Sequence, residues 1–184
     1  KQVRSLASTC IRHQLQSLSA YKFIFYTIDF RAQLSGLSGD LIENQIDFVH
    51  ATLNQITRLH SVDLNGVIVI GHSVGGFLSK AVFTRSNFDP SLVSLLISLA
   101  SPLTQPYLNI DYKMRDIYKR TTAYWSKNAS GFGTVSISIS GGRSDRLVPM
   151  HSSLDPDFDL SIITSSIQDV WLTTDHVCIT WCRE

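Results

Sequence analysis

The sequence predicts an α/β fold, a mostly parallel sheet with helices on both faces. Three observations predict it. Short β-branched runs alternate with segments of helical period along the chain, the pattern of strands joined by helical crossovers. One of these joins passes from the strand-like VIVI straight into VGGFLSKAVFTR through a Gly-containing turn. The 184 residues are 43% hydrophobic and 17% charged, which is enough apolar surface for one core and too little charge for a disordered chain.

The elements follow in order. Val3, Leu6, Ala7 and Cys10 recur at helical spacing, and the apolar run at 23–28 then predicts a strand. Asp40 followed by Glu43 resembles a capping box, and Ile42, Ile46, Val49, Leu53 and Ile56 line one face of a helix ending near His60. The stretch 64–70, bounded by Asn65-Gly66 and Gly71, predicts a strand, and 74–85 a helix. Residues 92–99 predict a buried strand, and 135–139 alternate apolar residues with Ser before Gly141-Gly142 stops them. Between these lies the less regular stretch 101–133, read as a cap or insert within a single domain spanning 1–184. A polar segment at 155–168 precedes VWLTTDHVCITWC, where a strand is expected to give way to a closing helix.

Composition removes several functions. Lys and Arg total 16 against 15 Asp and Glu, with no basic block to track a phosphate backbone, so no nucleic-acid partner is expected. Cys10, Cys178 and Cys182 form neither a disulfide framework nor a usual zinc pattern. The uncharged run at 90–110 contains Pro102 and Pro106 and reads poorly as a membrane helix. The chain starts mid-pattern with KQVRSLASTC, without a signal peptide, and ends two residues after an apolar helix face. It is therefore expected to be a piece of a longer protein, truncated at its N-terminus, with any membrane anchor outside it.

Gly71-His72-Ser73-Val74-Gly75 matches G-x-S-x-G between a β-branched strand and a helix. Side chains at the two glycines would crowd the strand or the helix, and the tight turn lifts the Ser73 hydroxyl clear of the sheet. Amides behind Ser73, beginning with Val74, then point toward a reacting oxyanion. A hydroxyl nucleophile needs a base, and the base an acid that holds its tautomer. Asp145 follows the strand at 135–139, in the run GGRSDRLVP, and His176 lies in TTDHVCITW, so both belong at the edge where Ser73 is exposed. The order Ser, Asp, His is that of the α/β-hydrolases.

The competing histidines are placed less well. His72 is fixed beside the nucleophile and is expected to point elsewhere, His13, His50 and His60 lie on earlier helical stretches, and His151 follows Asp145 too closely. Among other acids, Asp175 is adjacent to His176, Asp169 lies ahead of the last strand, and Asp111 and Asp116 fall in the insert. Asp29 reads as a polar loop residue. Trp125, Tyr107, Tyr112 and Tyr118 read as the packing of a cap, with an acyl or sugar site as the alternative. Asn128-Ala129-Ser130 is an N-glycosylation sequon.

Together these residues resemble the α/β-hydrolase domain of the GPI inositol-deacylases, the PGAP-like group. The matching stretches are KQVRSLAS, YTIDF with LSGLSG, VIVIGHSVGG, SISGGRSDRLV and WLTTDHVCITWC, spread over almost the whole chain. The resemblance implies Ser73 as nucleophile, Asp145 as orienting acid and His176 as base. It implies hydrolysis of the acyl ester on the inositol of GPI anchors, with GPI lipid or GPI-anchored proteins as substrate and no cofactor or metal. It also implies a protein of the endoplasmic reticulum membrane with this domain facing the lumen. Two departures stand out. The family's Gly-rich loop, expected to give a second oxyanion amide, would precede Lys1, and Ser101-Pro102 is followed by Leu103 where the family has His. The alternatives are a general lipase or esterase, and a non-catalytic fragment or binding module.

Overall fold

A computed structural model describes residues 2–16, 22–30, 38–60, 66–108, 111–167, 175, 176 and 178–180. Four parallel strands, β1 (Val67–His72), β2 (Val93–Leu99), β3 (Val135–Ser140) and β4 (Leu160–Ile163), form one sheet in that spatial order. The helices are α1 (Gln2–Gln16), α2 (Gly39–Leu59), α3 (Val74–Ala81), α4 (Tyr112–Asn128) and the single turn α5 (Met150–Ser153). Parallel neighbours need crossovers, and α3, α4 and α5 supply them in turn. The parallel sheet is flanked by helices on both faces, as expected; α2, α3 and α4 pack together, and α1 meets the turn at 178–180.

Period-two alternation divides the sheet residues. Leu96 and Ser98 of β2 and Ser136, Ser138 and Ser140 of β3 are buried beneath the helices. The opposite face presents Ile68, Ile70, Val135 and Leu160, each between 42% and 51% exposed. The serines on the covered face let helices approach closely, and the hydroxyls of Ser136 and Ser138 find partners in the crossovers, whereas the buried Ser98 Oγ has none among the described residues. Ser138 donates to the Ser153 carbonyl, and Ser136 to Asp159 at 2.8 Å.

The core lies between α2, α3 and α4. The predicted face of α2 is buried at Ile42, Ile46, Val49 and Leu53. Phe77 stacks on Tyr118 with ring centres 3.6 Å apart, and Phe83, Trp125, Phe132 and Phe158 form an aromatic cluster. Each such side chain contributes roughly 1.5–3 kcal/mol by leaving water. Trp125 and Tyr118 are thus packing residues, whereas Tyr107 and Tyr112 are exposed.

Three expectations are corrected. Residues 22–30 form no strand and are mostly exposed; among them Ile28 and Phe30 alone reach the core. Asp40 and Glu43 form no capping box. Ser38 occupies the N-cap without a side-chain bond, Asp40 pairs with Lys113, and Glu43 holds Arg85 and Arg120 at 2.5 and 2.6 Å. The first amide of α2 is satisfied from a distance, because Gly39 N donates to Asp111 Oδ2 at 2.5 Å while Asp111 Oδ1 accepts from Lys113 N. One carboxylate therefore caps α2 and α4 together. Third, β4 lies inside the segment read as merely polar. The expected strand around 170–173 falls outside the described residues, and 178–180 form one 3-10 turn.

Candidate active site

Ser73 sits where β1 becomes α3. Its amide donates to the Leu99 carbonyl at 3.0 Å, carrying the β1–β2 ladder up to the turn. Its backbone has φ 55° and ψ −132°, a left-handed conformation that costs an L-residue ~1–3 kcal/mol and holds the side chain out from the sheet. Close packing around it imposes this geometry. A Cβ on Gly71 would lie 2.5 Å from Gly76 Cα, and one on Gly76 would lie 2.1 Å from Ser101 Oγ.

The glycine that brings helix to sheet is therefore Gly76, not Gly75. A Cβ on Gly75 would meet nothing within 4 Å. Gly76→Ala is expected to destabilise by about 1–3 kcal/mol through overpacking against Ser101. Gly75→Ala should leave the fold intact and gain up to ~1 kcal/mol in helix propensity. Thermal midpoints of the two variants check the contrast, and equal midpoints would remove the close approach as an explanation.

The structure brings Ser73, Asp145 and His176 together across more than a hundred residues of chain. His176 Nε2 lies 3.0 Å from Ser73 Oγ, and His176 Nδ1 lies 3.1 Å from Asp145 Oδ2. A carboxylate oxygen only accepts, so Nδ1 donates to it and Nε2 is left to accept the Ser73 proton. Asp145 is itself held by its loop, with Oδ1 accepting from Leu147 N at 2.9 Å and Val148 N at 2.8 Å. This is an Asx turn, written locally as Asp followed by amides two and three residues on. A Cβ on Gly141 would lie 2.7 Å from Asp145 Oδ2, so the bend preceding the acid must be bare there. The Asp145 side chain is fully buried and that of His176 is 10% exposed, which keeps water from competing for the Asp–His contact. Val74 begins α3 directly after Ser73, where helix amides have no acceptor within the helix.

His72 does not point away. Its Nε2 donates to the backbone carbonyl of His176 at 2.7 Å, and the two rings lie 4.8 Å apart. Sequence reasoning missed this contact, because adjacency to a nucleophile on a strand gives no indication of what the opposite-facing side chain meets. Burial pushes the His72 pKa down, the His176 carbonyl and Asp145 oppose that, and the His176 ring adds to it. A histidine with a depressed folded-state pKa contributes stability that is complete above the unfolded value of ~6.5 and is lost as pH falls through the lower folded value. His72→Gln is expected to flatten that slope. Unfolding midpoints between about pH 5 and 7.5 check it, and an unchanged slope would remove His72 as its source.

The competitors are placed elsewhere. Asp111 caps two helices, Asp116 pairs with Arg120 at 2.8 Å, His151 contacts Gln105, and His60 contacts Tyr26. Asp29 is exposed, and Asp169 lies outside the described residues. Among the described residues, no group of three or more His, Cys, Asp or Glu side chains could hold a metal ion. Among them, too, no helix is long and apolar enough to cross a membrane.

A parallel sheet, a strained serine at a strand-to-helix turn, and a buried His–Asp pair aimed at it define an α/β-hydrolase with a serine-hydrolase-type site. The family model described as PGAP1-like alpha/beta domain matches residues 1–184, and the chain belongs to that family. It is 31% identical over 192 residues to a GPI inositol-deacylase of Rattus norvegicus and 33% over 193 residues to one of Xenopus laevis. A GPI inositol-deacylase of Aspergillus fumigatus is 30% identical over 217 residues. All of this chain is covered in each case, against 21%, 21% and 19% of the relative, so the chain spans about a fifth of their length.

Proposed function

We propose that this chain is the catalytic α/β domain of a GPI inositol-deacylase, a serine hydrolase that removes the acyl chain from inositol. The observation that carries the reading is the continuous contact from Asp145 through His176 to Ser73, in a chain related over its whole length to proteins of that name. In this reading His176 Nε2 takes the Ser73 proton as Oγ attacks the acyl carbonyl, and Asp145 steadies the imidazolium. The Val74 amide supports the oxyanion, and loss of one such donor typically costs ~10²–10³ in rate. Collapse of the tetrahedral species releases the inositol oxygen, which takes the proton from His176. Water then repeats the sequence on the acyl-serine and frees the fatty acid.

The substrate is a GPI lipid or a GPI-anchored protein, and the full-length protein acts at the endoplasmic reticulum membrane with this domain in the lumen. The exposed Asn128, in its sequon, agrees with a lumenal side. The test is to express the full-length protein, beside Ser73→Ala, in cells lacking inositol deacylation. An acylated inositol cannot form the cyclic phosphate that a phosphatidylinositol-specific phospholipase C requires. Surface GPI proteins should become releasable with wild type and not with the variant. If neither restores release although both are expressed and folded, the deacylase reading fails.

A further inference from the structure

His72 and Ser73 are consecutive residues, yet their side chains leave the end of β1 in different directions. The register of His72 with Leu99 and the two-residue alternation put His72 with Ile68 and Ile70, on the face away from α3. Ser73 follows through its left-handed turn, with its amide tied to the Leu99 carbonyl. One strand end therefore presents the nucleophile and, directly before it, an imidazole.

The ring of His176 is held at both nitrogens, by Asp145 Oδ2 at 3.1 Å and Ser73 Oγ at 3.0 Å. Those contacts set the ring's orientation, but they do not fix the stretch of chain that carries it. Asp145 reaches the ring from the loop after β3, two strands away from β1. His72 acts on the backbone instead. Its Nε2 donates to the His176 carbonyl at 2.7 Å, and the two rings lie 4.8 Å apart, tilted by 42°. Because this clamp and the nucleophile are neighbours in one strand, a shift of β1 carries both, and the distance from base to hydroxyl is kept. The requirement is strict, since a misplacement of about 1 Å can cost on the order of 10² in rate.

We propose that His72 is a positioning residue of the hydrolase site: by tying the His176 backbone to the strand of Ser73, it holds the base in register with the nucleophile. The proposal rests on the serine-hydrolase reading of the site and adds to the three residues in contact a fourth that acts through His176. His72 takes no proton in the reaction. What matters is a donor at the place of Nε2, which a glutamine amide can reach, an asparagine amide is too short to reach, and leucine lacks.

The test follows labelling of the purified full-length protein by an excess of an alkyl fluorophosphonate, for wild type, His72→Gln, His72→Asn, His72→Leu and Ser73→Ala. Ser73 Oγ attacks phosphorus as His176 takes its proton, the O–P bond forms, the P–F bond breaks and fluoride leaves. The reaction needs an aligned base but no particular ester. The limiting rate constant should fall on the order of 10²-fold in the asparagine and leucine variants and stay within about tenfold of wild type in the glutamine variant. The probe concentration giving half the limiting rate should not move. With probe in excess the rate constant belongs to the folded enzyme and the amplitude counts how much is folded, so partial misfolding does not imitate the effect. Equal rate constants in the three His72 variants, a change confined to the half-saturating concentration, or loss of all amplitude in the asparagine and leucine variants would make His72 a packing residue and overturn the proposal. Wild type that takes no label, or label that persists in Ser73→Ala, overturns the serine site and the proposal together. If wild type is labelled but leaves an acyl-inositol phospholipid intact, the deacylase reading fails alone, and the labelling rates still decide the role of His72.

Discussion

Replacing Ser73 by alanine is expected to lower ester hydrolysis by a factor on the order of 10⁴–10⁶ while leaving the fold in place. The size of the loss follows from the role of His176. Its Nε2 has one acceptor task, the Ser73 proton at 3.0 Å, and without that hydroxyl the His–Asp pair has no nucleophile to activate. Ser73→Gly should lose as much activity but behave differently in stability. The angles φ 55° and ψ −132° mirror an ordinary extended conformation, which glycine adopts as readily as its opposite hand. Relief of ~1–3 kcal/mol of strain, less the ~0.5–1 kcal/mol entropy cost of glycine, leaves about 1 kcal/mol in favour of the glycine variant. For a domain of this size that is roughly 2–4 °C in thermal midpoint above Ser73→Ala. Residual activity above about 1% of wild type in either variant would remove Ser73 as the nucleophile.

The fold class and the meeting of Ser73, Asp145 and His176 at one edge of the sheet were both legible in the sequence. Ser73, Asp145 and His176 were legible because each stands in a local context, a strand end or a Gly bend, that a parallel sheet must put on one edge. The partners of those residues were less legible, because contacts such as His72 with the His176 carbonyl depend on the register of strands far apart in sequence. Gly75 and Gly76 show the same limit. The motif singles out the first, but which glycine faces the sheet is set by the helix's rotation, and Ser101 proves to lie beneath the second. Capping failed for a related reason. Asp40 and Glu43 have the spacing of a local cap, yet tertiary cations draw both carboxylates outward, and Asp111 satisfies the helix start from α4. β4 escaped notice because it is only four residues long, with none of them fully buried, so the alternation that marks a strand has no room to show.

Lys80 and Asp155 form the largest concentration of buried charge in the described core, and their separation is expected to have the largest effect on stability. Lys80 is fully buried on the nucleophile helix α3, and its Nζ pairs with Asp155 Oδ2, whose side chain is 1% exposed. The rings of Trp125 and Phe158 lie 5.6 and 5.7 Å from the ammonium and offer π faces, but no acceptor oxygen. Asp155→Ala would leave that ammonium without an anion in an apolar pocket, at a cost of about 3–5 kcal/mol, or roughly 6–20 °C in thermal midpoint. The pair itself need not be stabilising, since desolvation of both ions offsets much of their attraction. Lys80→Met combined with Asp155→Asn should therefore return to within about 1–2 kcal/mol of wild type, with the asparagine still able to accept from Asp157 N as Asp155 does at 3.0 Å. The pair also ties α3 to the segment between α5 and β4, so the rescue carries a second expectation. If burial of an unpaired charge is the only fault, the double variant recovers hydrolysis together with stability. If stability returns and hydrolysis does not, the ion pair holds the helix behind Ser73 in a register that apolar packing cannot reproduce.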